Sequence, residues 1–200
     1  SFFALGNAIV GNPDLRPETS TSYEISVTQP IFSGRGETTI TLFDNSFFNN
    51  IDYDTNRHQM VNRTQLSSHG GEFSFEWRGY KRLSLKGQIS FADTRIHETG
   101  EKQRKRPTWR ATSTISWQWQ RNFSANLAFT YVDTVLDSSI PTGDLILDDY
   151  FKSDLALNWR PMAHINVGMK IDNLSGARYQ EVLGFEAPGV APFLMVEFLL

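Results

Sequence analysis

Apolar and polar side chains alternate along several stretches of this chain, most clearly over residues 109–119. Trp109, Ile115, Trp117 and Trp119 occupy odd positions there, whereas the even positions carry Arg, Thr, Ser and Gln. A period of two residues predicts a β-strand with one apolar and one polar face. At about 3.3 Å per residue, the ten steps from Trp109 to Trp119 span roughly 33 Å, about twice the length of an ordinary soluble strand.

Eight further segments repeat this alternation, so the sequence predicts nine strands. The eight segments are residues 23–28, 39–47, 72–76, 83–91, 123–131, 151–159, 165–172 and 194–200. The many Phe, Tyr and Trp residues, together with the lack of long runs of helix formers, favour an all-β class. Short connections alternate with long ones, which is typical of outer-membrane β-barrels. The short ones lie near residues 30–36, 79–82, 121–122 and 160–163, and the long ones near residues 50–60, 97–107, 136–149 and 175–191.

The length of the strand over residues 109–119 fits a membrane. Tilted by about 40°, it projects to roughly 25 Å, the height of the apolar band of a transmembrane barrel. Mean hydropathy of −0.36 does not oppose this, because a barrel strand shows lipid only every second residue. Tryptophan and tyrosine concentrate at the two membrane interfaces. We therefore predict an interfacial aromatic girdle, rather than a ligand-stacking set, formed by Trp109, Trp117, Trp119, Tyr131 and Trp159.

Nine strands do not make a complete barrel of this kind. Bacterial single-chain barrels have even strand counts, and open sheet edges are not tolerated in lipid. We therefore expect residues 1–200 to be the C-terminal portion of a larger antiparallel barrel whose N-terminal strands lie outside this sequence, unless something else closes the sheet.

Three groups of residues carry a family resemblance. The first is the turn-rich segment Gly-Asn-Pro-Asp-Leu-Arg-Pro-Glu at residues 11–18, which directly precedes a strand. The second is Asn173-Leu174 with Tyr179, Glu181, Gly184-Phe185 and Pro188-Gly189 before the terminal strand, and the third is Asn62 with Gly71 and Glu72. In this order, and with strands between them, they resemble the barrel of TonB-dependent outer-membrane receptors. Val190, Ser175 and Leu200 depart from residues common in that family.

The resemblance implies energy-coupled uptake of a scarce nutrient such as an iron–siderophore, haem or cobalamin across the bacterial outer membrane. In that family a plug domain fills a barrel of 22 strands, and a TonB box near the N-terminus couples it to the inner membrane. Neither is found in these residues, so the chain is expected to supply barrel wall and ligand-facing extracellular loops. The implied partners are outer-membrane lipid, lipopolysaccharide, a small-molecule metal chelate or cofactor ligand, and TonB through the missing N-terminal region.

Two other classes of protein remain as alternatives. A passive porin-like channel would have the same strands without a plug domain. A soluble β-sandwich binding module would bury the apolar stripe under a second sheet. An enzyme is not indicated, because no catalytic motif is present, and the net charge of −3 does not favour nucleic-acid binding. Without cysteine there is no disulfide and no thiolate metal site, and the sequence predicts no cofactor.

Candidate ligand-binding residues lie in the predicted long loops. His58 and His97 are placed to touch an iron chelate, although a solvated loop histidine is the simpler interpretation. The basic cluster, defined as Lys102, Arg104, Lys105 and Arg106, is suited to phosphates of lipopolysaccharide or to an anionic ligand, or is a solvated run of charge. The acidic residues Asp137, Asp144, Asp148 and Asp149 offer calcium ligands but lack the EF-hand spacing, so no metal site is predicted.

Overall fold

Long antiparallel strands, each hydrogen-bonded to the next long strand along the chain, form one sheet in the computed structural model. The structure describes residues 11–54, 59–62, 65–79, 82–97, 99–139 and 143–198. From one edge of the sheet to the other, the strands are β1 (Thr19–Ile31), β2 (Gly36–Phe48), β5 (Leu66–Arg78), β6 (Leu83–Ile96), β7 (Trp109–Gln120), β8 (Phe123–Val132), β11 (Tyr150–Met162), β12 (Ile165–Asp172) and β15 (Ala191–Phe198).

The predicted nine antiparallel strands are confirmed, but several strands are longer than the alternation suggested. β1 begins at Thr19 rather than Tyr23 and ends at Ile31, and β5 covers Leu66–Arg78 rather than residues 72–76. The added residues at the long-loop end are mostly Ser, Thr and Gly. Backbone hydrogen bonds continue there although the apolar period has stopped, because a ladder needs paired amides and not lipid contact.

The sheet is a single layer without a hydrophobic core. Among the described residues, Val132 and Leu147 are the only hydrophobic side chains that are buried. Trp117 and Ile115, on the apolar face of β7, remain 43% and 37% exposed. A β-sandwich buries such a face beneath a second sheet. The soluble-sandwich alternative is therefore wrong, and the apolar face requires an outside partner.

The connections follow the predicted alternation, with added structure in the long ones. A single 3-10 turn, Phe32–Gly34, joins β1 to β2. The connection expected near residues 160–163 is shorter, because β11 extends to Met162. Three of the long loops contain small hairpins that the sequence pattern did not reveal. These are β3 (Ile51–Asp54) with β4 (Gln59–Asn62), β9 (Val135–Ser139) with β10 (Gly143–Leu147), and β13 (Gln180–Val182) with β14 (Phe185–Glu186).

No helix in the described part of the chain has both the length and the apolar character needed to span a membrane.

Candidate functional site

All four long connections leave the sheet at the same rim. They join β2 to β5, β6 to β7, β8 to β11 and β12 to β15, and every strand pair in this sheet is antiparallel and sequential. Alternate connections of such a sheet must lie on one side. The long-loop rim therefore gathers segments that are far apart in the sequence, and it carries those predicted ligand-binding residues that the structure describes.

The basic cluster faces the β9–β10 hairpin. Arg104 Nη2 lies 2.8 Å from Asp144 Oδ1, and both side chains are about half exposed. Lys105 Nζ lies 3.8 Å from Asp137 Oδ1, and the Lys105 backbone N–H donates to the Leu136 carbonyl at 2.8 Å. Two of the four predicted cations thus have acidic partners in the neighbouring loop. The cluster and the acidic loop, which the sequence analysis treated separately, form one structure.

A cavity of about 740 Å³ lies between this loop and the hairpin. Lys102, Arg104 and Lys105 line one side of it, and Asp137 and Asp144 contribute to the other. Its size falls within the range of small-ligand pockets. The described residues contain no cluster of three or more acidic or histidine side chains arranged for a metal ion. The cavity thus presents cationic side chains on one side and carboxylates on the other.

Asp137 is the most deeply buried charged residue among those described, with a relative exposure of 1%. Its Oδ2 accepts the Leu183 N–H at 2.9 Å, and its Oδ1 accepts the Ser138 N–H at 2.8 Å. Burial opposes the ionised form, but these two backbone donors together with Lys105 and Arg104 hold the pKa of Asp137 below its usual value. A buried carboxylate is tolerated here because it is ionised, hydrogen-bonded and paired.

The base of the last long loop is organised by Asn173, which is 3% exposed and has a φ of +52°. Its Nδ2 donates to the carbonyls of Ala177 and Pro188 at 2.8 and 3.1 Å, and its Oδ1 accepts the Ala177 N–H at 2.9 Å. Its own backbone N–H donates to Asp154 Oδ1 at 2.8 Å. Asparagine tolerates the left-handed backbone region and offers both donor and acceptor. The Asn173-Leu174 motif is thus a loop anchor.

The segment over residues 11–18 is held against the β3–β4 hairpin by a second set of polar contacts. Asn62 Oδ1 accepts the Arg16 N–H at 2.7 Å, and Asn62 Nδ2 donates to the Arg16 and Asn49 carbonyls at 2.9 and 2.6 Å. Glu18 Oε1 accepts the Ile51 N–H at 2.7 Å. Asn62 and the segment over residues 11–18, which both contribute to the family resemblance, therefore form one structural unit.

The polar face of the sheet carries paired charges and a second cavity. Glu76 lies 3.1 Å from Arg78 and 3.3 Å from Lys86. A cavity of about 560 Å³ opens beneath the last loop, lined in part by Lys152 and Tyr179. The polar face therefore carries charged pairs and is indented below the last loop.

Aromatic side chains collect near the short-turn end of the apolar face. The rings of Trp117 and Trp119 stack with centroids 5.6 Å apart, and Trp159 pairs along the ladder with Phe123, which lies next to Trp119. Trp77 also belongs here, but the sequence analysis missed it although it continues the alternation of β5.

A second aromatic group lies at the other end of the same face. The rings of Trp109 and Phe91 are in contact, with centroids 4.8 Å apart. Tyr131 pairs across the ladder with Ala111, which lies two residues after Trp109 on β7. The five residues predicted to form a girdle thus lie in two groups separated along the strands, and their contact with the membrane interfaces stays a prediction.

Among the remaining candidate residues that the structure describes, His97 and Arg106 do not line the loop cavity, whereas Lys102 does. His97 is exposed, and its backbone N–H donates to the Gln65 carbonyl at 2.8 Å. Arg106 is exposed in the basic loop, and Lys102 Nζ donates to Thr108 Oγ1 at 2.9 Å. His58 lies outside the described residues. Their contact with a ligand stays a prediction.

A single-layer antiparallel sheet with an uncovered apolar face, a polar face and long loops on one rim defines an outer-membrane β-barrel wall. Residues 1–174 match the family described as TonB dependent receptor-like, beta-barrel. The chain belongs to this family, whose barrels are outer-membrane proteins of Gram-negative bacteria. This family and this fold are those of transporters and receptors and not of enzymes.

Solved structures with the same fold include three iron receptors. The ferripyoverdine receptor of Pseudomonas aeruginosa is 13% identical with a TM-score of 0.76, and the match covers 92% of this chain and 27% of that receptor. The ferric-catecholate import receptor Fiu of E. coli K12 is 15% identical with a TM-score of 0.71, covering 94% and 28%. The FrpB iron transporter of Neisseria meningitidis is 14% identical with a TM-score of 0.72, covering 92% and 31%. The chain thus spans less than a third of each of these receptors.

Proposed function

We propose that this chain supplies barrel wall and ligand-capturing loops to a receptor for energy-coupled uptake of an iron–siderophore complex. The observation that carries the proposal is the cavity of about 740 Å³ at the long-loop rim, lined by cationic and acidic side chains. It lies on the side where extracellular loops of such barrels lie. The iron receptors that share the fold favour an iron chelate over haem or cobalamin as the ligand.

The proposed roles follow from position. Lys102, Arg104, Lys105 and Arg106 contact anionic groups of the chelate or of lipopolysaccharide, through charge-assisted hydrogen bonds. His97, directly after β6 on the long-loop rim, is a further candidate contact. The polar face lines the lumen, where a plug domain in the rest of the receptor makes contact. TonB acts through that N-terminal part, and the girdle residues Trp109, Trp117, Trp119, Tyr131 and Trp159 hold the wall at the two lipid interfaces.

The test is uptake by the full-length receptor in an iron-starved Gram-negative host that lacks its own siderophore receptors. Radioactive iron is supplied as a ferric catecholate or as a ferric trihydroxamate, with haem and cobalamin in separate arms. We expect one ferric chelate to be accumulated in the presence of TonB and not in its absence. Uptake that persists without TonB identifies a passive channel, and uptake only of haem or cobalamin overturns the iron–siderophore assignment.

The loop residues are tested by a matched pair of substitutions. Lys102→Ala removes a cation that lines the loop cavity, whereas Arg121→Ala removes an exposed cation from the tight turn between β7 and β8 at the opposite rim. We expect Lys102→Ala to weaken binding of an anionic ferric catecholate by a few-fold to tenfold and Arg121→Ala to leave it unchanged. Equal effects would show that general charge, and not the loop cavity, governs binding.

A further inference from the structure

We infer that Asp137 is the positioning residue of the ligand-capturing surface: one buried carboxylate fixes three extracellular loops relative to one another. The inference rests on the proposed function only for what the loops capture. The loops are the β6–β7 connection with the basic cluster, the β9–β10 hairpin, and the last loop with the β13–β14 hairpin. Asp137 lies in the second of these and has bonding partners in the other two.

The contact to the last loop is a direct hydrogen bond between residues that are far apart in the sequence. Asp137 Oδ2 accepts the Leu183 N–H, 46 residues along the chain, at 2.9 Å. Leu183 lies between β13 and β14, at the turn of that hairpin. A second set of contacts holds the base of this hairpin. The Tyr150 hydroxyl, at the start of β11, donates to Glu181 at 3.2 Å, and the Tyr150 ring stacks on Tyr179 with centroids 4.0 Å apart. Asp137 therefore holds the turn of the last loop.

A backbone hydrogen bond and an ion pair join the basic loop to the β9–β10 hairpin. Lys105 donates its backbone N–H to Leu136, directly before Asp137, and brings its Nζ to 3.8 Å from the carboxylate. Arg104 makes a second link, to Asp144 on β10. These two links differ in their surroundings. The Arg104–Asp144 pair is half exposed on both sides, and such pairs contribute little. At the other link Lys105 is exposed, but the Asp137 carboxylate is buried and also accepts two backbone N–H groups, so its loss leaves those donors without a partner.

The cavity between the basic loop and the hairpin exists because these two walls are held apart at a fixed spacing. Leu136, Asp137 and Ser138 form part of one wall, and Lys105 belongs to the other. If the carboxylate is lost, the walls and the turn of the last loop move independently. Ordering them when the ligand arrives then costs conformational entropy, which lowers affinity without removing a ligand contact.

Asp137→Asn and Asp144→Asn test this role in the full-length receptor. Asparagine keeps the shape of Asp137 but replaces one of its two acceptor oxygens with an NH2 group. The backbone N–H of either Leu183 or Ser138 then faces a donor and loses its hydrogen bond. We expect amide hydrogen exchange to quicken at least tenfold over residues 180–186 and 101–106 in Asp137→Asn. In Asp144→Asn the change should be confined to residues 101–106 and 143–147. Amide exchange in β7 and β8 should not change in either variant. The heat-sensitive gel mobility of the folded barrel should not change either.

Binding of a ferric catecholate then separates positioning from mere stability. We expect Asp137→Asn to weaken affinity about tenfold while the barrel remains folded, since residues 180–186 must be ordered again on binding. The positioning role would be overturned by unchanged exchange over residues 180–186 in Asp137→Asn, or by an equal change over residues 180–186 in both variants. The exchange measurement needs no ligand. If wild-type receptor binds none of the chelates, the proposed function fails, while the exchange result still decides the role of Asp137.

Discussion

The assignment of faces on β7 gives a sharp test, because adjacent residues should respond oppositely to the same charge. Ile115 lies on the apolar face, and Thr114 lies on the polar face opposite Lys86. Ile115 is six residues from Trp109 and four from Trp119. At about 3.3 Å per residue and a tilt of about 40°, these are depths of roughly 15 and 10 Å, which places Ile115 within about 3 Å of the bilayer centre.

Replacing Ile115 with Arg therefore puts a cation near the middle of the hydrocarbon. The expected cost there is about 2–4 kcal/mol, or about one and a half to three orders of magnitude in the folded-to-unfolded ratio. Thr114→Arg places the same cation on the wet face. Its neighbour Lys86 is 3.3 Å from Glu76, so the repulsion is partly neutralised and the cost should stay below about 1 kcal/mol.

The assay is assembly of the full-length receptor in the outer membrane, followed by the heat-sensitive mobility of folded barrels in gels. Urea unfolding in lipid vesicles then gives the free-energy difference for variants that assemble. We expect Ile115→Arg to be depleted from the membrane and Thr114→Arg to accumulate as wild type does. Equal depletion of both, or depletion of Thr114→Arg alone, would refute the assignment of faces on which the membrane argument depends.

Three other predictions concern the strands and the loops. Gly70→Ala should destabilise the barrel by about 1–3 kcal/mol in urea, because a Cβ there lies 2.8 Å from the Phe43 ring and against a neighbouring backbone carbonyl, whereas Gly87→Ala, with its nearest atom at 3.8 Å, should be neutral. Asn62→Ala should increase proteolysis of the segment over residues 11–18 with little change in barrel stability, and unchanged cleavage would contradict the docking. The lowered pKa of Asp137 means that its stabilising contribution is present above about pH 3.9 and is lost as pH falls through the folded-state value. Acidification should thus loosen residues 180–186 in wild type, seen as amide exchange corrected for the intrinsic rate, and a loosening of the same size in Asp137→Asn would argue against it.

The sequence alone determined the strands and their faces. A strand exposes its side chains to opposite sides with a period of two, so Trp109, Ile115 and Trp117 had to share one face once the backbone was extended. Pairing across a short connection also followed, since a tight turn brings the two neighbouring segments together. The resemblance of residues 11–18 and Asn173 to one family likewise lies in the order of the residues themselves. Trp77 was missed although the same alternation includes it.

The strand ends and the small loop hairpins were harder to predict from the sequence, because the pattern of apolar and polar residues is weak there. Outside the hydrocarbon layer neither face of a strand needs apolar side chains. Polar residues therefore extend β1 to Thr19, and no alternation marks that part of the strand. The β9–β10 and β13–β14 hairpins are only two to five residues per strand. Segments this short depend on contacts with their surroundings more than on local propensity.

Only the tertiary structure decided what the charged loop residues do. In the sequence, Lys105, Asp137 and Leu183 belong to three separate loops, and nothing local relates them. The antiparallel order of the sheet brings those loops to one rim, where the carboxylate of Asp137 meets a backbone N–H 46 residues away and a lysine from a third segment. Long-range polar contacts leave no periodic trace in a sequence, because they depend on where the chain returns and not on the spacing between neighbouring residues.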